Sequence, residues 1–315
     1  MSAARAAAVR GVVFDVDGTL LLSDRTLGEY ELLPGAVEVL SALNERGVPF
    51  ALFTNGSAYP PAEQAAKLRA AGLPVRDEQM LTPSVIAAQH MRERGIARTL
   101  VLGSAGVGAA LRAAGIQTVH TGEPGATEVG AVYVGWHPAC GMKDIEAAAR
   151  AIWDGAKLYV ASDVPFFATQ QGRTIGYSFA ITAAIRRLTR APMTLTGKPA
   201  VLALRFVAAR LGVPVRELAV VGDDPLVEIL MARRAGATAL AVTTGTTSRK
   251  EWARQARTHR PHAILAGLRE VLDWVAAPAG AVPAPRRRAR AARTLPPPTR
   301  ARRSKARARL ARRAR

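Results

Sequence analysis

Short apolar runs alternate with amphipathic stretches along most of the chain, and that alternation predicts parallel strands joined by helices. Val12, Val13 and Phe14 read as a buried strand. Leu33-Pro34-Gly35 then opens a segment with apolar residues at Val37, Val39, Leu40 and Leu43, the spacing of an amphipathic helix closed by Arg46-Gly47. Val48 to Phe53 reads as a second strand, and a helix from about Ala62 to Ala71 ends at Gly72. From Leu81 the pattern starts afresh. Thr82-Pro83-Ser84 opens a helix to about Arg94, Thr99 to Leu102 is a strand, and a further helix runs to Ala114. Val129 to Val134 and Lys157 to Ala161 read as strands on either side of a helix over Lys143 to Trp153. Residues 82–192 therefore form a self-contained α/β unit inserted between residues 1–81 and 193–275. In the last of these segments a helix ends near Leu211 and Leu218 to Val221 is a strand. A helix carrying Glu228 closes at Arg234-Ala235-Gly236, and Leu240 to Val242 is expected to be the last strand of the central sheet. The fold class is α/β: a doubly wound parallel-sheet (Rossmannoid) core with an inserted α/β domain.

Composition changes this picture mainly at the C-terminal end. The apolar share of 49% is ample for a core, and 315 residues leave room for one large domain or two modest ones. Residues 276–315 hold thirteen arginines and one lysine with no acid, so they carry +14 of the net +20 and leave +6 for residues 1–275. Proline interruptions and charge density predict a disordered basic tail there, able to bind nucleic acid or another polyanion non-specifically by counterion release. Its Ala/Arg/Pro bias equally suits a composition effect without function. No secretory signal opens the chain and no run reaches the length of a membrane span, so a cytoplasmic protein with no membrane partner is expected. The single Cys140 excludes an intramolecular disulfide framework and a zinc cluster built from cysteines.

Candidate chemistry lies at the strand ends. The first strand runs into Asp15-Val16-Asp17-Gly18-Thr19-Leu20, two carboxylates one residue apart followed by a glycine that permits a sharp turn. In an open α/β sheet ligands bind at the carboxyl ends of strands, and crowded carboxylates need a cation, a proton or bound chemistry to compensate them. A calcium loop is excluded, because its pattern wants a third ligand before the glycine and a closing glutamate where Thr26 stands. The second strand ends in Thr54-Asn55-Gly56-Ser57, with a hydroxyl and an amide suited to a phosphoryl oxygen. Gly197-Lys198-Pro199 precedes an apolar helix, and Leu218 to Val221 ends in Gly222-Asp223-Asp224. Together, in this order, the four signals resemble the motifs of the haloacid dehalogenase (HAD) superfamily of phosphohydrolases. The insertion after the second motif resembles the type-two cap of its NagD and p-nitrophenylphosphatase branch (class IIA). The likeness covers nearly all of residues 11–275.

The resemblance implies a phosphomonoester hydrolase working through an aspartyl-phosphate intermediate. Asp15 would be the nucleophile, Asp17 the acid and base, and Lys198 a catalytic and phosphate-binding cation, with Thr54 and Asn55 on the phosphoryl oxygens. Mg²⁺ would be held by Asp15, Asp17 and Asp223, with Glu228 in an outer position where the branch usually has aspartate. The cap would contribute Asp163 to substrate, although Ala161-Ser162-Asp163-Val164 and Ile175-Gly176-Tyr177-Ser178 depart from the branch's usual strings. Sugar phosphates, nucleoside monophosphates, glycerol phosphate and phosphoglycolate all remain open as the small phosphorylated partner. A cap of this kind can also supply a homo-oligomer surface. Two other readings are a phosphotransferase using the same intermediate and a non-catalytic scaffold that binds polyanions through its tail. The Gly103 to Gly108 cluster has the order G-x-x-G-x-G and reads as a strand-to-helix turn rather than a nucleotide site. Trp136-His137-Pro138 follows a strand of the insertion and can contribute to a substrate pocket, while no ligand role is assigned to His90, His120, His137, His259 or His262.

Overall fold

A computed structural model describes residues 8–24, 29–169 and 172–275. Its central sheet has six parallel strands in the spatial order Ala263–Ile264, Thr238–Ala241, Leu218–Gly222, Gly11–Phe14, Phe50–Phe53 and Met80–Leu81. Gly11–Phe14 lies in the middle, buried along its whole length, which is why it reads as a continuous apolar run rather than an alternation. Val12 and Phe14 pack on one face with the helix Ala36–Glu45. Val13 packs on the other with the helix Val201–Leu211.

The second sheet has five parallel strands in the order Met193–Leu195, Lys157–Val160, Ala131–Val134, Arg98–Leu102 and Gln117–Val119. Helices Met142–Trp153 and Tyr177–Thr189 cover one face, and Pro83–Glu93 and Ala105–Ala113 the other. Two hairpins project from this framework, Leu21–Ser23 with Tyr30–Leu32 and Phe166–Thr169 with Gly172–Ile175.

Two expectations are corrected. Leu240 to Val242 does not close the central sheet, because Ala263–Ile264 pairs in parallel with Leu240 and Ala241 outside it. The second sheet also reaches past the boundary expected at residue 192: Met193–Leu195 pairs with Leu158–Val160 as its edge strand, and Thr196 N still donates to Val160 O at 2.9 Å. The basic segment 276–315 lies outside the described residues. Among the described residues no helix is long and apolar enough to cross a membrane.

Candidate active site

A parallel sheet brings the carboxyl ends of its strands to one edge. Phe14 is level with Val221 on one side and Leu52 on the other, so Asp15, Asp223 and Thr54 emerge together. The turn after Phe14 has little room to spare. Gly18 takes φ +83°, and a β-carbon there would lie 2.7 Å from Asp223 Oδ2. A β-carbon on Gly245 would come within 2.0 Å of the same oxygen. The Thr244 hydroxyl donates to the Gly18 carbonyl at 2.7 Å, and the Thr246 N–H donates to Asp223 Oδ2 at 2.6 Å. Residues 244–246 thus clamp one acid and the loop that carries Asp15 and Asp17. Threonines flanking a glycine at a strand end were the available signal.

Lys198 is 2% exposed, and its ammonium donates to Asp15 Oδ1 and sits 2.8 Å from Glu228 Oε1. The Thr19 hydroxyl donates to the other Asp15 oxygen at 3.1 Å, so both oxygens of this carboxylate are held. Ser23 donates to Asp17 Oδ1. Asn55 grips the lysine from behind: its Oδ1 accepts from Lys198 N at 2.8 Å, and its Nδ2 donates to Lys198 O at 3.0 Å. Thr54 Oγ1 accepts from Gly56 N at 2.9 Å, which orients the hydroxyl and leaves its proton to donate.

Five acids (Asp15, Asp17, Asp223, Asp224 and Glu228) and Lys198 line one cavity of about 120 Å³. One ammonium does not neutralise that set. Burial, reinforced by the Asp15 charge, raises Asp223 to about 7. Burial likewise raises Asp17 to about 6, with Asp15 adding to it and the Ser23 hydrogen bond opposing it. Burial also pushes Glu228 well above the carboxylate range, against the pull of Lys198. Although burial disfavours its charge, Lys198 is held above its ordinary value by Asp15 and Glu228. One oxygen each from Asp15, Asp223 and Glu228 lies within 4.8 Å of the others, all three side chains being buried. An all-oxygen, charge-excess cluster of this kind fits a hard divalent cation.

Residues 12–117 match the family model of haloacid dehalogenase-like hydrolases, and residues 195–271 match a second HAD-hydrolase-like model. Chronophin of Mus musculus is 30% identical over 253 residues, which cover 77% of this chain and 83% of the relative. The chain belongs to the HAD superfamily. The 4-nitrophenylphosphatase of Thermotoga maritima superposes with a TM-score of 0.74 at 26% identity, covering 84% of this chain and 97% of that one. A glycerol phosphate phosphatase of Mycobacterium tuberculosis, solved in complex with magnesium, superposes with a TM-score of 0.73 at 28% identity, covering 84% and 76%. The protein is therefore a HAD phosphatase, a phosphoric monoester hydrolase of the NagD and p-nitrophenylphosphatase-like branch, class IIA.

Within this HAD site the structure brings together Asp15, Asp17, Thr54, Asn55, Lys198, Asp223 and Glu228. Asp163 is not among the lining residues: Ser162 and Val164 face the cavity instead. Successive side chains of a non-helical segment point to different sides, and Asp163 lies in the field of Arg186. Glu228 is closer in than the outer position expected of it. The widened turn Pro225–Ile229 folds it back over Gly222, where a β-carbon would lie 2.3 Å from Glu228 Cγ. Asn55 turns its amide toward Lys198, with Oδ1 accepting from the lysine's N–H and Nδ2 giving one of its two protons to the lysine's carbonyl. From the inserted domain, Trp136, Tyr177 and Ser178 reach the cavity, the two rings edge to face with centroids 4.8 Å apart.

Proposed function

We infer that the site hydrolyses a small phosphorylated metabolite through an aspartyl-phosphate on Asp15, with Mg²⁺ as cofactor. The observation that carries this reading is the position of Lys198, whose ammonium touches Asp15 and Glu228 beneath a small, partly hydroxyl-lined cavity.

Asp15, gripped at both oxygens, is oriented to attack phosphorus without losing rotational freedom at that moment. The bond to the ester oxygen breaks as the new one forms, and Asp17 gives that oxygen its proton. In the second half Asp17 takes a proton from the water that attacks the phosphorylated Asp15, freeing phosphate and restoring the carboxylate. A group near 6 is matched to both duties. Lys198 and the Thr54 hydroxyl offset the charge on the phosphoryl oxygens, with Asn55 positioning the lysine. Mg²⁺, when bound, supplies the positive charge that lets an anionic nucleophile approach an anionic phosphate. Asp15, Asp223 and the Asp17 carbonyl would hold it, with Glu228 beside them. The magnesium complex of the glycerol phosphate phosphatase supports that choice of ion. A cavity of about 120 Å³ with Trp136, Tyr177, Ser162 and Ser178 on its walls favours a compact, hydroxylated leaving group.

The test is phosphate release from a panel of sugar, glycerol and nucleoside monophosphates, with Mg²⁺ and with EDTA, for the full chain and Asp15→Asn. Release is expected only with Mg²⁺ and is expected to fall to background in the variant. Undiminished release by Asp15→Asn would rule out the covalent route.

A further inference from the structure

One cysteine cannot build a multi-cysteine zinc site, but the fold places it beside two ligands of other kinds. His137, Cys140 and Asp144 sit on the turn after Ala131–Val134 and the first turn of Met142–Trp153, and one ligand atom from each lies within 4.8 Å of the others. The turn itself is set by backbone hydrogen bonds. Cys140 N donates to His137 O at 3.1 Å, and Gly141 N donates to Asp144 Oδ2 at 2.8 Å.

The geometry points to a Zn²⁺ site formed by His137, Cys140 and Asp144, on the inserted domain and separate from the catalytic cluster. Zn–N and Zn–O bonds of about 2.1 Å at the tetrahedral angle put the nitrogen and oxygen about 3.4 Å apart. His137 Nε2 and Asp144 Oδ2 stand at 3.5 Å. The thiol, imidazole and carboxylate together suit a borderline-soft ion, and the thiolate selects it against Mg²⁺. On binding, the sulfur–hydrogen bond is replaced by a sulfur–metal bond and the thiol proton leaves to solvent. The His137 and Asp144 side chains are 20% and 19% exposed, so an ion can enter. His137 and Cys140 border an open hollow of about 400 Å³ that leaves room for a water as the fourth ligand.

The site adjoins the catalytic cavity through two residues. Trp136, next to His137 in sequence, lines that cavity, and Tyr177 lines both spaces. Trp136 is further tied to the core by its backbone N–H, which donates to Ser57 Oγ at 3.0 Å. Bound zinc would brace this wall by joining its supporting turn to the helix behind it.

Titration of chelator-treated full-length protein with Co²⁺ in excess Mg²⁺ tests the assignment. One equivalent of Co²⁺ is expected to produce an ultraviolet sulfur-to-cobalt charge-transfer band, and one equivalent of Zn²⁺ to bleach it. The oxygen-only catalytic cluster cannot give that band, so the outcome is independent of the phosphatase reading. Cys140→Ser should abolish the band, and His137→Ala and Asp144→Asn should each weaken Zn²⁺ binding at least about 100-fold. Absence of the band in the unmodified protein would overturn the site and leave a His–Asp contact at 3.5 Å. A band of equal strength and affinity in His137→Ala and Asp144→Asn would reduce it to a lone reactive thiol.

Discussion

At the scale of single residues, the site depends on how side chains hold one another as much as on which are present. Lys198 would lose its orientation if its backbone drifted, and only Asn55 among the described side chains ties that peptide across the cavity with both ends of an amide. Asn55→Ala removes both bonds without touching a charge. A displacement of about 1 Å in a catalytic group can lower turnover about 10²-fold, so a loss of that order in kcat is expected, with a smaller change in KM. Steady-state kinetics beside a thermal melt of the variant checks this, since an unchanged kcat in a folded variant would deny Asn55 its positioning role. The identities of Asp15, Asp17, Lys198 and Asp223 were legible in sequence because each stands at a strand end in a distinctive string. The direction in which Asn55 points was not, because it is fixed by a partner 143 residues away. Glu228 was legible as an acid near the site but not as the partner of Lys198, since that depends on a widened turn and on the space over Gly222.

At the scale of elements, the same division separates local from distant causes. Apolar periodicity marked the strands Gly11–Phe14 and Leu218–Gly222 and the helices around them, whose burial follows from their own composition. Ala263–Ile264 has only two residues and no pattern to display, so its pairing with Leu240 and Ala241 was invisible. Met193–Leu195 read as core because the Gly197-Lys198-Pro199 string follows it, whereas its hydrogen bonds go to Lys157–Val160. The glycine cluster at 103–108 has a reason that sequence could not supply. A β-carbon on Gly106 would lie 2.2 Å from the Ala58 carbonyl oxygen, so the helix Ala105–Ala113 approaches the core loop backbone to backbone. Ser104 Oγ donates to the same carbonyl at 3.0 Å. Gly106→Val forces a separation that backbone atoms cannot absorb, and overpacking of this kind costs about 1–3 kcal/mol. Urea unfolding should show that loss. kcat/KM should fall as well, because the shift acts on the Ser57–Trp136 contact at the cavity wall.

For the whole molecule, the concentrated acid of the site makes stability depend on pH and cation together. Without metal, Asp223 near 7 and Asp17 near 6 bind protons in the folded chain that the unfolded chain, with acids near 3.8, has already released. Between about pH 4 and 7 the folded state therefore holds more protons, and its stability falls as pH rises through that window. The contribution is complete below about pH 4 and lost once pH passes the folded values. A divalent cation binds the ionised carboxylates of the folded state, so it competes with those protons and stabilises most where they are absent. At 100 times its dissociation constant a ligand adds about 2.7 kcal/mol, which for a chain of this size raises Tm by about 5 °C. Melting curves of the full chain in EDTA and in Mg²⁺ at pH 5 and pH 8 should show that rise at the higher pH and much less of it at the lower. Asp223→Asn should lose most of the Mg²⁺ response at pH 8 while melting higher than the unmodified chain in EDTA there, because one repelling charge has gone. An equal Mg²⁺ effect at both pH values would mean that the cation binds elsewhere, and the buried cluster would then be a proton store rather than a metal seat.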